Sequence, residues 1–446
     1  MLSFAENAKD VILIDRTRVT VRMEQVSDSP ANILMETVQM ENTRENTMET
    51  LRENQTFLPP PEQKWMKLAV RLACRGQGMV SPNPAVGAVI VKDGKVIGSG
   101  WHTCYGKPHA EREALAACTE DPAGADLYVT LEPCCHTGKT PPCTDAILEA
   151  GIGRVITGSS DPKPHASGKG IQILRAAGVP VFTGFMETEC DALNPGFMQQ
   201  AKTGLPYLTL KYAMTADGKT AAASGESKWI TSEQARDDGH RYRGLNDAVI
   251  AGIGTVLQDD PLLTARTPGM KEPLRIICDS KLRIPEDSRL VSTAASSPVL
   301  VATGKLDASA GKKAERLEAG GVHILELPDR DGRVDLNALF RKLGEKGILS
   351  VYCEGGGTLA WGLLEAGLVS EVITYIAPKL FGGAGSRTPV GGSGVAFPDD
   401  CFHLGSPEVS TIGPDIKIVW KTEPGNDKNG SVEFSGQEQT SCLQES

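Results

Sequence analysis

One histidine and two cysteines in residues 108–143 constrain this chain more than anything else in it. The stretch opens Pro108-His109-Ala110-Glu111 and closes Glu132-Pro133-Cys134-Cys135-His136-Thr137-Gly138-Lys139-Thr140-Pro141-Pro142-Cys143. An imidazole and two separated thiols supply three ligands to a tetrahedral zinc and leave the fourth position to water, the layout of a catalytic site. A carboxylate two residues after the histidine, Glu111, is placed to handle that water's protons. A fold that uses all four must bring two helix starts and one strand end to a single point.

The flanking pattern supplies those elements. Trp65, Leu68, Ala69, Leu72 and Ala73 recur at helical spacing, Ser81-Pro82-Asn83-Pro84 breaks the helix, and 86–91 reads as a buried strand. Asp93-Gly94 signals a hairpin into Val96-Ile97. Helices are expected at 111–118, 144–150 and 171–177, and strands at 127–131, 154–158 and 179–182, an α/β layer sandwich. His109 and Glu111 then lie at one helix start, and Pro142-Cys143 opens the next, where proline is tolerated. Helix N-termini favour thiolate over thiol.

Taken singly these residues mean little, because Cys74, Cys104 and Cys118 show that the chain uses cysteine freely elsewhere. The combination is specific, and its logic is that of zinc nucleobase deaminases, whose glutamate stays outside the metal shell. Here eight residues separate Cys134 from Cys143. Cys135 and His136 are rival ligands, and the second Pro-Cys favours Cys143.

After a polar joint at 201–206, a second series of elements begins. Strands are expected at 207–212, 248–251, 275–278, 299–302, 323–327, 349–353, 371–376 and 416–420, and helices at 232–240, 336–343 and 358–365. The alternation predicts a mostly parallel sheet covered by helices, open to a nucleotide at the strand C-terminal ends. Glu354-Gly355-Gly356-Gly357-Thr358 sits between a strand and a helix, where bare backbone N–H groups can hold a phosphate. It is not G-x-G-x-x-G, so a Rossmann assignment fails. Asp259-Asp260-Pro261-Leu262-Leu263-Thr264-Ala265-Arg266 reads as a charged loop.

Asn83-Pro84-Ala85-Val86-Gly87, His109-Ala110-Glu111 and the run from Glu132 to Cys143 resemble the deaminase half of the bifunctional riboflavin-biosynthesis deaminase-reductase family. The second half resembles that family's reductase, through Lys211, Asp217-Gly218-Lys219, the Ser224 to Thr231 run, the Gly254 to Pro261 run and Glu354-Gly355-Gly356-Gly357. The resemblance spans roughly 62–422. It implies a cytidine-deaminase-like layer sandwich (62–200), a dihydrofolate-reductase-like domain (206–422), one Zn2+ per chain and NADPH. By the same resemblance His109, Cys134 and Cys143 bind zinc and Glu111 shuttles the proton. His102 and Asn83 would face the substrate.

In the reductase the resemblance assigns Ala213, Trp229, Thr255, Asp259, Ser280 and the run Gly356, Gly357, Thr358, Leu359, Ala360, Trp361, Gly362 to NADPH. It assigns Ser227, Arg243, Leu263, Arg266 and Glu354 to the phosphorylated substrate, for which arginine forks are suited. The implied reactions are deamination of 2,5-diamino-6-(5-phosphoribosylamino)pyrimidin-4-one and then reduction of its ribosyl chain to ribityl, giving 5-amino-6-(5-phosphoribitylamino)uracil. Lys211 and Asp259 are polar aids to the second step. Ala216 stands where the family often has Leu, so packing of that turn is less defined.

The balance of charge narrows the partners. A formal charge of -10 disfavours the basic footprint of nucleic-acid binding, and with it a DNA or tRNA base deaminase. No apolar run approaches a membrane span, and the eleven cysteines are too irregular for a disulfide framework. We therefore expect a cytoplasmic homo-oligomer that acts on small molecules. Residues 1–61 are expected to be a disordered or weakly helical extension, or else the result of a mispredicted translation start with the real one nearer Met48 or Met66, and 423–446 a disordered tail. Two other readings are a deaminase with an inactive reductase-like domain and a purely structural zinc module.

Overall fold

The computed structural model describes residues 59–137, 140–163 and 166–422. The expectations for 1–58 and 423–446 lie outside the described residues. The described residues from 61 to 422 fall in one compact unit, which holds two main sheets.

The first sheet has the order β2-β1-β3-β4-β5, from Gly87–Lys92 (β1), Lys95–Trp101 (β2), Asp126–Leu131 (β3), Arg154–Ser159 (β4) and Val181–Phe182 (β5). β1 runs antiparallel to both neighbours, and β3, β4 and β5 are parallel. Strand alternation sorts the side chains to two faces. Val89, Val91, Tyr128 and Ile156 pack on Met66, Ala69 and Leu72 of helix Gln63–Ala73 (α1). Ala88, Ile90, Leu127 and Val129 pack on Ala110 and Ala114 of Ala110–Ala116 (α2), Ile147 of Cys143–Glu149 (α3) and Leu174 of Lys169–Ala176 (α4). A sheet covered on both faces is the expected layer sandwich.

Two helices unmarked in the sequence reading follow, Glu187–Asp191 (α5) and Pro195–Thr203 (α6). The polar joint at 201–206 is partly helix, because α6 continues to Thr203 and ends on Gly204 with φ 73°. Phe197 and Met198 of α6 bury against Leu131 of the first sheet and Leu349, the residue just before a strand of the second, so α6 is the seam between them.

The second sheet has the order β10-β9-β8-β7-β13-β6-β14-β16-β15. Its strands are Tyr207–Thr215 (β6), Ala248–Gly252 (β7), Leu274–Cys278 (β8), Val299–Thr303 (β9), Val322–Glu326 (β10), Ser350–Cys353 (β13), Glu371–Ala377 (β14), Glu408–Ile412 (β15) and Asp415–Lys421 (β16). A ribbon pairs Asp329–Arg330 (β11) with Arg333–Val334 (β12). All pairings from β10 to β14 are parallel, and β14-β16-β15 is antiparallel.

Helices cover both faces of this sheet. They are Glu233–Leu245 (α7), Ile253–Asp259 (α8), Arg289–Ser292 (α9), Ala308–Ala319 (α10), Leu336–Glu345 (α11) and Gly357–Glu365 (α12). Leu339, Phe340 and Leu343 of α11 and Leu359 and Leu363 of α12 pack on Leu208, Ile250 and Val351. Val256 of α8, Leu290 of α9 and Leu317 of α10 pack on the opposite face, on Val249, Ile277 and Val301. A buried cation, Arg275, crosses that layer. Its guanidinium donates to Leu262 O, Thr293 O, Thr293 Oγ1 and Ser297 O and meets no carboxylate among the described residues.

Candidate functional sites

The first site is assembled by two short helices and one strand end. His109 is the extended residue that precedes α2, and Glu111 lies in the first turn of that helix. β3 ends at Leu131, after which Glu132 and Pro133 lead to Cys134. Cys134 O accepts the N–H groups of Cys143 (3.0 Å) and Thr144 (3.2 Å), so the first turn of α3 is capped by the other cysteine's backbone. That closure folds the eight-residue loop back and brings both thiols together.

His109 Nδ1 lies 3.4 Å from Cys134 Sγ and 3.5 Å from Cys143 Sγ, and all three ligand atoms fall within 4.8 Å of one another. Tetrahedral zinc with N and S ligands at about 2.1 and 2.3 Å sets its ligand atoms roughly 3.6 Å apart, so the triad fits the ion. Among the described residues no other such group of ligating side chains is found, and Cys135 and His136 stay outside it. The thiols are electrostatically unequal. A hydrogen bond from Cys143 first, and then one from His109, draws Cys134 down to about 4 against the effect of burial. Cys143 is pushed up by its neighbour's thiolate. The pair shares a proton that a divalent cation would displace.

Glu111 is 3% exposed and faces the same cavity of about 430 Å³. Burial first, then the charge on Cys134, raises its carboxyl to about 7. A carboxyl in that range both accepts and returns a proton near neutrality. Asn83 and His102 line the cavity as well. His102 Nδ1 can only donate to the carbonyl of Pro108, at 3.0 Å, which leaves Nε2 as the acceptor 3.3 Å from Asn83 Nδ2. Burial lowers the pKa of His102 and keeps it neutral.

Two supporting residues escaped the sequence reading. Arg112 of α2 donates through Nη2 to Pro142 O (2.7 Å) and through Nε to Pro141 O (3.3 Å), tying together the two helix starts that carry ligands. Glu132, read only as part of the motif, is buried and accepts backbone N–H groups from Asp161, Gly168, Gly170 and Ile171. A polar residue next to a motif cysteine is a weak signal, and partners 29 to 39 residues away cannot be read from it.

The second site is a cleft of about 1050 Å³ across the C-terminal ends of β8, β7 and β13. Thr255, Asp259, Ser280, Gly356, Gly357, Thr358, Leu359 and Gly362 of the expected cofactor set line it, with Ser227 and Glu354 of the substrate set. Thr255 and Asp259 sit on α8, which replaces the start of the expected loop. Gly356 caps α12 without a side-chain bond, and a Cβ on it would meet nothing within 4 Å. Bare amides beside open space suit a dinucleotide's phosphates.

The other expected residues lie off the cleft lining. Ala360 is buried in the core, and Trp361 packs edge-on against Phe402. Trp229 is 63% exposed beneath the guanidinium of Arg236, and Ala213 packs near Tyr375 and Ile373. Leu263 is buried, whereas Arg266 is exposed; both have positive φ. Arg243 lies in the last turn of α7, which overruns the expected end at 240.

At the head of the cleft Glu354 is gripped by two cations, Lys211 at 3.2 Å and Arg243 through its Nε. Burial pushes the carboxyl up, yet Arg243 and Lys211 overcome this and hold it at about 2. Arg243 Nη1 also donates to Thr264 O (3.0 Å) and to His240 Nδ1 (3.2 Å). His240, overlooked in the sequence, is therefore an acceptor here, and burial with the charges of Arg243 and Arg266 lowers it to about 4.

Comparisons with known proteins match this division. Residues 60–159 match the cytidine and deoxycytidylate deaminase zinc-binding region, and 206–418 match the RibD C-terminal domain. The riboflavin biosynthesis protein RibD of Actinobacillus pleuropneumoniae is 47% identical over 363 residues, covering 81% of this chain and 96% of that protein. RibD of Escherichia coli K12 is 40% identical over 368 residues, covering 80% and 98%. Among solved structures, Acinetobacter baumannii RibD (form 1) superposes with a TM-score of 0.74 at 37% identity, covering 81% of this chain and 98% of that one. A Thermotoga maritima protein described as a diaminohydroxyphosphoribosylaminopyrimidine deaminase/5-amino-6-(5-phosphoribosylamino)uracil reductase gives 0.70 at 36% identity, covering 80% and 98%. With a zinc deaminase fold and a RibD reductase fold joined in that order, the chain belongs to the RibD family, the bifunctional zinc- and NADPH-dependent deaminase-reductases of riboflavin biosynthesis.

Proposed function

We propose that His109, Cys134 and Cys143 hold the zinc, that Glu111 moves the protons of deamination, and that the cleft headed by Glu354 carries the reduction. The substrate of the first step is then 2,5-diamino-6-(5-phosphoribosylamino)pyrimidin-4-one, and the final product is 5-amino-6-(5-phosphoribitylamino)uracil. The observation that carries the reading is the place of Glu111, buried in the first turn of α2 beside the ligand triad yet outside it.

Zinc, when bound by the triad, supplies the Lewis acidity that makes water a nucleophile near neutral pH. Glu111 takes the proton from the water oxygen at its carboxylate and returns it to the departing amine. His102, fixed in one tautomer, presents Nε2 as an acceptor, and Asn83 supplies an amide donor beside it. NADPH, held against the glycine-capped start of α12, would supply hydride for C1 of the ring-opened sugar. Glu354, held ionised, fixes the Lys211 ammonium and the Arg243 fork, so both cations are oriented before substrate arrives. Lys211 would supply a proton to the imine nitrogen as hydride reaches the carbon, and Arg243 would hold the substrate's phosphate.

The same reading places the joint between the two activities in the seam after α6, at 204–206. We also propose a cytoplasmic homo-oligomer. β15 ends its sheet as an edge strand, and Val409 on it is 64% exposed, as are Leu380 (77%) and Phe397 (69%) in the segment between β14 and β15. Among the described residues no helix is long and apolar enough to cross a membrane.

The test uses purified full-length protein and the diamino substrate. Ammonia should appear without NADPH, and NADPH oxidation should follow its addition. Ammonia release with no NADPH consumption would favour a deaminase with an inactive second half.

A further inference from the structure

A row of charged and aromatic side chains crosses four neighbouring strands of the second sheet beneath α7. The antiparallel register sets Lys417 of β16 opposite Tyr375 of β14. The parallel register sets Lys211 of β6 opposite Ile373, one diagonal step from Tyr375. Residues two apart on a strand share a face, so all three side chains emerge on the same side of the sheet. Glu354, which follows β13, ends the row. From above, α7 adds Asp238 and Tyr242, four residues apart and therefore on one side of the helix. A Cβ on Gly239 would lie 3.9 Å from Lys211 Nζ and 4.0 Å from Glu354 Oε1, so the helix passes directly over that pair.

The contacts run in one chain. Lys417 Nζ donates to Asp238 Oδ2 at 2.7 Å and to Tyr242 Oη at 3.0 Å. The Tyr375 hydroxyl donates to the same Asp238 Oδ2, also at 2.7 Å. The ring so fixed has the Lys211 ammonium 5.6 Å from its centroid, within cation–π range. The Lys417 and Asp238 side chains are only 10% and 14% exposed. A buried ion pair contributes little more to stability than apolar side chains of the same volume, so stability alone gives no reason for charges here.

The reason lies in what Lys211 must do. Its ammonium has Glu354 at 3.2 Å on one side and, on the other, the ring of a tyrosine whose hydroxyl ends on a second carboxylate. Lys417 and the Tyr375 hydroxyl occupy Oδ2 of Asp238, and Arg241 Nε lies 3.4 Å from its Oδ1. Asp238 is thereby neutralised and does not draw Lys211 away from Glu354.

We infer that Tyr375, Asp238 and Lys417 are positioning residues for the reduction, which hold the Lys211 ammonium at Glu354 and aimed at the reacting imine. The inference rests on the reading that Lys211 acts in that step. A cation misplaced by about an ångström can cost up to about a hundredfold in rate while binding is kept.

The test is NADPH oxidation by the full chain with the deaminated substrate, resolved into kcat and KM, with urea unfolding to count folded enzyme. Tyr375→Leu should lower kcat about 30-fold and Tyr375→Phe, which keeps the ring, about fivefold, with both KM values within about twofold of wild type. Lys417→Met, which bares Asp238, should lower kcat about tenfold, and Lys417→Met/Asp238→Asn should regain most of that loss. Wild-type kcat per folded enzyme in Tyr375→Phe and Lys417→Met, or a double variant no faster than Lys417→Met, would overturn the inference. These two single variants decide the matter even if Tyr375→Leu does not fold. Lys211→Gln tests the underlying reading separately. If it keeps its kcat, that reading fails; if it loses kcat while Tyr375→Phe and Lys417→Met keep theirs, only the positioning role fails. Ammonia release should be unchanged in every variant.

Discussion

Lys211 Nζ and Glu354 Oε1 lie 3.2 Å apart although 143 residues separate them in sequence. The parallel pairing of Leu210 with Cys353 sets Lys211, in the middle of β6, level with Glu354, the residue that follows β13. Arg243, from α7, closes on the same carboxylate. Three charges are thus held with their side chains only 10–20% exposed, where losing one leaves the others uncompensated.

Glu354→Gln should therefore destabilise the chain by about 3 kcal/mol and abolish NADPH oxidation. The folded carboxyl sits at about 2 against an ordinary 4.5. Its contribution, on the order of 3 kcal/mol, is thus fully present above pH ~4.5 and is lost as pH falls toward 2. Urea unfolding at several pH values checks this: the gap between wild type and variant should shrink between about pH 4.5 and 3.

Arg112→Ala should weaken zinc binding about 10- to 100-fold, the usual effect of losing a group that orients metal ligands. Its two bonds, to Pro141 O and Pro142 O, hold the start of α3 against α2. Competition with a chromophoric chelator measures the loss. NADPH oxidation with the deaminated substrate should be unchanged.

Gly357→Ala should weaken NADPH about tenfold and cost about 1–3 kcal/mol of stability. A Cβ there would lie 2.8 Å from Gly391 N and 3.1 Å from Thr388 O, both backbone atoms of the segment that borders the cleft. Fluorescence titration with NADPH and thermal unfolding give the two numbers, while ammonia release serves as the unaffected control.

The first site was legible because its chemistry is local: His109, Glu111, Cys134 and Cys143 each stand at an element end that the sequence marks with Pro or a change of period. The second was legible in outline only. Buried β-branched runs exposed the parallel strands, but α10, rich in Lys, Glu and Ala with only Ala314 and Leu317 buried, gave too thin an apolar stripe to read. α8 was hidden by its glycine and by the acidic pair at its end. Arg243 was named without its helix, since α7 has few apolar positions and its overrun is fixed by Glu354, far away in sequence. Arg112, Glu132 and His240 act through partners that only the tertiary fold supplies.

The central claim is that two separate sites on one chain act in succession, the first through Glu111. Its most direct test is Glu111→Ala, measured for zinc content, ammonia release from the diamino substrate and NADPH oxidation with the deaminated substrate. The account predicts about one zinc per chain, ammonia release reduced by at least about 10²-fold, and NADPH oxidation at the wild-type rate. Ammonia release that persists in this variant with zinc in place would contradict it.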